Sequence, residues 1–347
     1  MTDLFYYQIC KLPVKVESVS FETLEQTTSN GWTRTTTIVN LHGGGHVGRG
    51  EDVNYSNEEQ QEFVCMVPPR IIGNFPGFDS YSRYLDSLDN HLFPSPPDQL
   101  AARLYRRWAF ESAGLDLALR QAKTSLGEVL LRNLNPLRYV VSTGLGSPPS
   151  VQPLNDKLAM DNTLDFKIDY SAEFTDMLLE ELKSYNISCV DFKGHYHGTF
   201  SGPPVNTIDY QNIALAFPDA ILEDPGFAGL DVLSSLNNRL SWDFPVHSVA
   251  DILLLPETGW LNIKPSRFGF LSELLRAIEL ALSRGISLYG GGQFEIGIGR
   301  SQAQEIASLF YSDGPNDLAP SEFNEPDLSS KLQKSPLILP NTSGFGF

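Results

Sequence analysis

Ile187-Ser188-Cys189-Val190-Asp191, Ala220-Ile221-Leu222-Glu223, Leu240-Ser241-Trp242-Asp243 and Trp260-Leu261-Asn262-Ile263-Lys264 share one design: a short apolar run closed by a charge. Lys167 and Asp169 close an earlier run over 164–170. Apolar runs of this length read as buried strands. A charged residue at the end of each strand predicts a ring of charge at a β/α barrel mouth, where strand ends supply catalytic groups.

Outward from there, strand-like runs start near Tyr139, Leu164, Ile187, Ala220, Leu240, Trp260 and Ile286, with a weak eighth near Asp317. Helical stretches at 171–185, 209–217, 270–283 and 300–311 lie between most of them. This alternation fits a barrel of seven or eight βα units over 136–320. No strong helix follows Asp317, so the barrel is expected to lack its last helix. Residues 321–347 are polar and Pro-rich and read as an extended tail.

Residues 1–135 carry a different pattern. The segment 14–24 alternates, 35–41 is β-branched, and the Gly-rich turn His42-Gly43-Gly44-Gly45-His46-Val47-Gly48 follows. Helical spacing marks 57–66 and 79–92. Asp98, after Pro94-Ser95-Pro96-Pro97, is the predicted N-cap of a long helix to about Asn133. Trp108, Ala109, Ser112 and Ala113 give that helix a small, apolar surface that predicts packing on two sides.

The chain has 347 residues and 41% apolar content, enough for one large domain or two smaller ones. Its net charge of −17 argues against nucleic-acid binding, which needs a basic patch. Cys10, Cys65 and Cys189 are odd in number and lack C-x-x-C spacing, which fits reduced thiols in a cytoplasm. No stretch reads as a signal peptide or a membrane span. A cytoplasmic protein is expected, and a homo-oligomer is compatible with this composition.

The strand period of two puts Lys167 with Asp169, and Asp191 with Lys193, on common faces. Asp191, Glu223 and Asp243 then come from three successive strands. They form a hard oxygen site that suits Mg²⁺. Lys167, Lys193 and Lys264 against Asp169, Asp191, Glu223 and Asp243 leave a charge of −1, which Mg²⁺ turns to +1. Such a site would take a small-molecule carboxylate. The plainer alternative makes each carboxylate a surface cap and each lysine a solvated side chain.

These residues resemble the enolase superfamily, on its muconate-lactonizing and o-succinylbenzoate-synthase side. Thr35-Thr36-Thr37-Ile38-Val39 with Gly48-Arg49-Gly50-Glu51 resembles the first hairpin of that family's capping domain. The segment Phe110-Glu111-Ser112-Ala113-Gly114-Leu115-Asp116-Leu117-Ala118-Leu119 resembles its first long helix. The resemblance implies an α+β capping domain and a modified TIM barrel of the (β/α)7β type. It implies Asp191, Glu223 and Asp243 as Mg²⁺ ligands, with Lys264 in Asn262-Ile263-Lys264-Pro265-Ser266 as the strand-six base. The implied reaction removes a proton α to a carboxylate and passes through an enediolate. Racemase, epimerase, cycloisomerase and dehydratase all fit.

Two departures stand out. Related enzymes usually carry Lys-x-Lys on strand two, where this chain has Lys167-Ile168-Asp169. Of these, Lys167 is the expected catalytic partner of Lys264, with Asp169 as its alternative. The usual Asp-x-Asn of strand three is Asp191-Phe192-Lys193, so Lys193 either meets a substrate carboxylate or neutralises Asp169 or Glu223.

Other candidates are less specific. The glycines at 290–292 could cradle a phosphate. Gln293 and Glu295 could face the substrate, or Glu295 could pair with Arg300. His195, His197 and His247 follow strand ends, where loop histidines are mostly solvated. The His42–His46 turn is expected to cover the barrel mouth. Two other readings remain: a Schiff-base aldolase using Lys264, and a barrel that binds a ligand without catalysis.

Overall fold

The computed structural model describes residues 4–28, 31–66, 68, 70–88, 91–93, 95–196, 201–324 and 332–347. The N-terminal part carries α1 (Leu4–Ile9), β1 (Val14–Val16), β2 (Ser18–Thr27), β3 (Thr33–Gly43), β4 (His46–Asp52), α2 (Asn57–Cys65), β5 (Gly73–Phe75), α3 (Phe78–Asp86), α4 (Ala101–Ala122) and α5 (Leu126–Val129). β2, β3 and β4 form an antiparallel meander, with Ser18 opposite His42 and Thr27 opposite Thr33. β1 pairs separately with β5.

The meander packs on α4 by backbone approach. A Cβ on Gly48 would lie 2.2 Å from the Ala113 carbonyl, and one on Gly50 would lie 2.0 Å from that of Ala109. Only glycine permits this contact. As its composition predicted, α4 buries nearly its whole length. Its bounds differ from the expectation, because Lys123 at φ 55 turns left-handed and ends it. Ser125 then caps the separate α5 with Glu128. Asp98 is not the cap: its backbone N–H donates to Glu59 Oε1 at 2.7 Å, and Leu100 holds the cap position.

The barrel follows as β6 (Val141–Thr143), α6 (Gln152–Leu158), β7 (Phe166–Asp169), α7 (Asp176–Leu182), β8 (Ile187–Asp191), α8 (Thr207–Ala216), β9 (Ile221–Glu223), α9 (Gly226–Leu233), β10 (Leu240–Trp242), α10 (Val249–Leu254), β11 (Trp260–Ile263), α11 (Pro265–Phe268), α12 (Leu271–Ser283), β12 (Ser287–Gly290) and α13 (Ile298–Phe310). The seven strands run parallel, each beside its neighbour in sequence. The weak eighth run near Asp317 contracts to two bridging residues. Asn316 pairs with Tyr139 ahead of β6, and Asp317 pairs with Gly291 just past β12, closing the sheet. No α-helix follows among the described residues. The architecture is a modified TIM barrel with an α+β capping domain.

Of the tail, Ser321–Asn324 form a 3-10 turn and residues 332–347 are docked on the fold. Leu337 pairs with Leu137, and Gly344 pairs with Ser125. Phe345 is fully buried against Trp108, while its N–H donates to Asp116 at 2.8 Å. The three cysteines are free thiols. No helix among the described residues is long and apolar enough to cross a membrane.

Candidate active site at the barrel mouth

Three neighbouring strands place three carboxylates together. Asp191 ends β8, Glu223 ends β9, and Asp243 follows β10. All three are buried, and one oxygen from each lies within 4.8 Å of the others. Lys264, just past β11, donates to Asp243 Oδ2 at 2.9 Å. Lys167, inside β7, lies lower: its Nζ is 2.5 Å from Glu223 Oε1, 3.6 Å from Asp191 and 3.8 Å from Asp317.

Several groups absent from the sequence expectations complete the cluster. Arg267, one helical turn after Lys264, donates to Asp243 Oδ1 at 2.7 Å. Its signal was the i, i+3 spacing that puts it beside Lys264 on α11. Tyr289 donates to Glu223 Oε2 at 2.5 Å, and the Cys189 thiol lies 3.3 Å from the same oxygen. Asp224, at φ 45, turns its carboxylate onto the N–H groups of Asp243 and Phe244 at 2.8 and 2.7 Å. That contact fixes the loop carrying Asp243.

The electrostatics follow from burial and pairing. Burial, reinforced by Glu223, pushes Asp191 up to about 7 despite Lys167 and Lys193. Burial opposes the charge on Asp243 too, yet Arg267 and Lys264 hold it below the usual carboxylate range. Burial likewise disfavours the charge on Lys167, but Glu223, Asp191 and Asp317 hold it well above the usual lysine value. Four buried or half-buried carboxylates (Asp191, Glu223, Asp243 and Asp317) face three cations (Lys167, Lys264 and Arg267), while burial holds Asp224 well above the usual carboxylate range. The unmatched carboxylate and the all-oxygen donor set fit one hard divalent ion.

The two departures meet each other. Lys193 Nζ lies 2.6 Å from Asp169 Oδ2, and the Lys193 N–H donates to Asp191 Oδ1 at 2.9 Å.

Sequence profiles divide the chain in two. The Domain of unknown function (DUF8230) N-terminal domain matches residues 7–129, and its C-terminal domain matches residues 133–325. The chain belongs to the DUF8230 family, and its fold is that of the enolase superfamily. Among solved structures, this DUF8230 protein is similar to a muconate lactonizing enzyme from Pseudomonas putida, with TM-score 0.67, 18% identity, and 95% and 96% of the two chains covered. It is also similar to a dipeptide epimerase from Methylococcus capsulatus complexed with Mg ion, with TM-score 0.65, 20% identity and coverage of 87% and 89%. Among curated proteins, it is 36% identical over 87 residues to an N-succinylamino acid racemase of Thermus thermophilus. It is 35% identical over 89 residues to an o-succinylbenzoate synthase of Bacillus subtilis. Each of these two matches spans 24% of the relative's length, and 24% and 25% of this chain.

The remaining sequence candidates of the DUF8230 protein divide by position. Gln293 is buried between cap and barrel: its carbonyl accepts from Arg267 Nε at 2.7 Å, and its amide donates to Tyr55 at 2.8 Å. Glu295 pairs with Arg300 at 3.4 Å and accepts the Gln293 N–H at 2.7 Å, a local structural role. The glycines at 290–292 make room for neighbouring side chains. A Cβ on Gly291 would meet the Lys264 stem at 2.6 Å, and one on Gly292 would meet Glu295 at 2.4 Å.

His195 packs its ring edge on Phe227 and Trp242. The ring of His247 faces Phe244. His197 lies outside the described residues. The His42–His46 turn does not cover the mouth. It sits by the C-terminal end of α4, where Gln121 donates to the Gly43 carbonyl at 3.1 Å. The other end of the meander reaches the barrel instead: Arg34 donates to the Gln293 and Phe294 carbonyls at 3.0 and 3.1 Å. β3 spans eleven residues, so its two ends lie ~30 Å apart and only one can meet the mouth.

Proposed function

We propose that this protein is a Mg²⁺-dependent isomerase or lyase that removes a proton α to a substrate carboxylate and passes through an enediolate. The observation that carries this reading is the set of three carboxylate oxygens within 4.8 Å, with Lys264 on Asp243 at its edge. Asp191, Glu223 and Asp243 would hold the ion, which when bound supplies Lewis-acid polarisation of a carboxylate.

The chain's own residues do the rest. Lys264 is the amine that accepts the α-proton. Asp243, through its bonds to Lys264 and Arg267, holds that amine at the edge of the cluster. Tyr289 and Lys167 hold the two oxygens of Glu223. Trp32 of the cap stacks on Tyr55 and meets Phe294 of the loop after β12 edge-on. Racemisation, epimerisation and cycloisomerisation are the reactions named for the relatives and neighbours. N-succinylamino acids and dipeptides, which carry an α-proton, are therefore the first acids to try.

The test is loss of the α-proton NMR signal in D2O, with Mg²⁺ and after EDTA treatment. Exchange that needs Mg²⁺ and disappears in Lys264→Ala supports the reading. Exchange indifferent to EDTA contradicts it. So does a borohydride-trapped adduct on Lys264, which would mark a Schiff-base enzyme.

A further inference from the structure

Resting on that proton transfer, we infer that Lys193, held by Asp169, is the amine that meets the substrate on the side opposite Lys264, and that Lys167 is not. Asp169 and Asp191 are register partners at the ends of β7 and β8. Lys193 follows Asp191 by two residues and adopts φ 53, a left-handed conformation that a residue with a Cβ rarely takes. That turn does two things. It points the Lys193 N–H at Asp191 Oδ1, and it brings the side chain back over β7 to Asp169. Gly202 lies directly on the turn, since a Cβ there would stand 2.0 Å from the Lys193 carbonyl.

The three amines differ in what a substrate can touch. Lys167 is 3% exposed and faces three carboxylates from below. Lys264 is 9% exposed and Lys193 33%, with its partner Asp169 at 35%. Strand order places the pair and Lys264 at opposite ends of the acidic arc: β7 and β8 at one end, β11 at the other, with Glu223 and Asp243 between. On this strand order, a carboxylate seated at the arc would have one of these two amines on either side of it. Lys167 lies two residues earlier than Asp169 on the same strand face, one layer deeper.

The step is balanced. The Cα–H bond breaks, its electron pair passes into the enediolate, and the proton goes to the Lys264 amine. The electron pair then takes a proton from the Lys193 ammonium on the opposite face, forming the new Cα–H bond and leaving a neutral amine. Solvent resets both lysines. Asp169 is the positioning residue that aims Lys193.

Competitive amine labelling of the full-length, Mg²⁺-loaded protein tests this, read residue by residue by mass spectrometry. The probe is benzohydroxamate, whose adjacent oxygens copy an enediolate. Lys193 should label readily and be protected about tenfold at saturating hydroxamate, with exposed Lys15 unchanged and Lys167 unreactive throughout. Asp169→Asn should speed labelling of Lys193 and weaken its protection while leaving Lys15 alone. If hydroxamate binds by calorimetry and Lys193 labels equally with and without it, the inference fails while the proton-transfer reading stands. Protection of Lys167 instead of Lys193 overturns the inference in the same way. A hydroxamate that does not bind the loaded protein overturns both.

Discussion

The capping domain and the barrel mouth both bury charge, but they balance it differently. In the cap, Arg106 and Asp52 are fully buried and meet one to one at 2.7 Å. Arg107 takes Glu111 at 2.8 Å and Asp86 at 2.7 Å. Arg34 places its donors on four backbone carbonyls. Each of these arginines has its partners within the fold, and nothing is left over to bind. At the mouth, four carboxylates face three cations, and Asp191 is pushed to about 7. Closed pairs of the first kind hold a domain together. An open cluster of the second kind carries acidic charge that a bound cation would relieve, which is why it is the candidate site.

Removing Lys264 should have the largest effect. Lys264→Ala should cut turnover by at least ~10³-fold, within the range for losing a positioned acid/base group, while circular dichroism stays native. Near-normal turnover would return Lys264 to the role of a structural counter-ion, like Arg106.

Breaking a closed pair should act on stability alone. Arg106→Ala leaves Asp52 buried without its cation and should cost ~3–5 kcal/mol in denaturant unfolding. Its Mg²⁺ affinity should match the wild type. A large change in affinity would mean that the two regions are coupled and the contrast is wrong.

A smaller effect concerns the docked tail. Burial first, then Asp116, push Glu305 from 4.5 to about 7, even though the Gly346 N–H donates to it at 2.6 Å. In the unfolded chain this carboxyl ionises near its ordinary value, while in the fold it keeps its proton longer. Its stabilising contribution is therefore full below about 4.5, and is lost as pH rises through about 7. Glu305→Gln should flatten the decline in melting temperature over that window, by up to ~3 kcal/mol of stability. An unchanged pH profile would show that the carboxyl titrates normally.

Much of the site was legible because a strand end has one position that meets the mouth. Asp191, Glu223, Asp243 and Lys264 needed only that rule. Arg267 sits on the helix after its strand, where no strand pattern points. Tyr289 and Cys189 reach Glu223 from inside the barrel, and in sequence they read as ordinary core residues. The meander was legible as strands, but not which of its ends faces the barrel, because an antiparallel hairpin looks alike from both ends. The docking of Phe345 was illegible for another reason: a lone aromatic between glycines gives no periodic signal.

Whether the triad holds a divalent ion separates a metal centre from an ion-pair network. Crystals soaked with Mn²⁺ in place of Mg²⁺ should give one strong anomalous peak bound by oxygens of Asp191, Glu223 and Asp243, at roughly 2.0–2.3 Å. Glu223→Gln should weaken binding by an order of magnitude or more in calorimetry. No peak at the triad at saturating metal, or unchanged affinity in Glu223→Gln, would contradict the account and leave the cluster a buried ion-pair network like that of the cap.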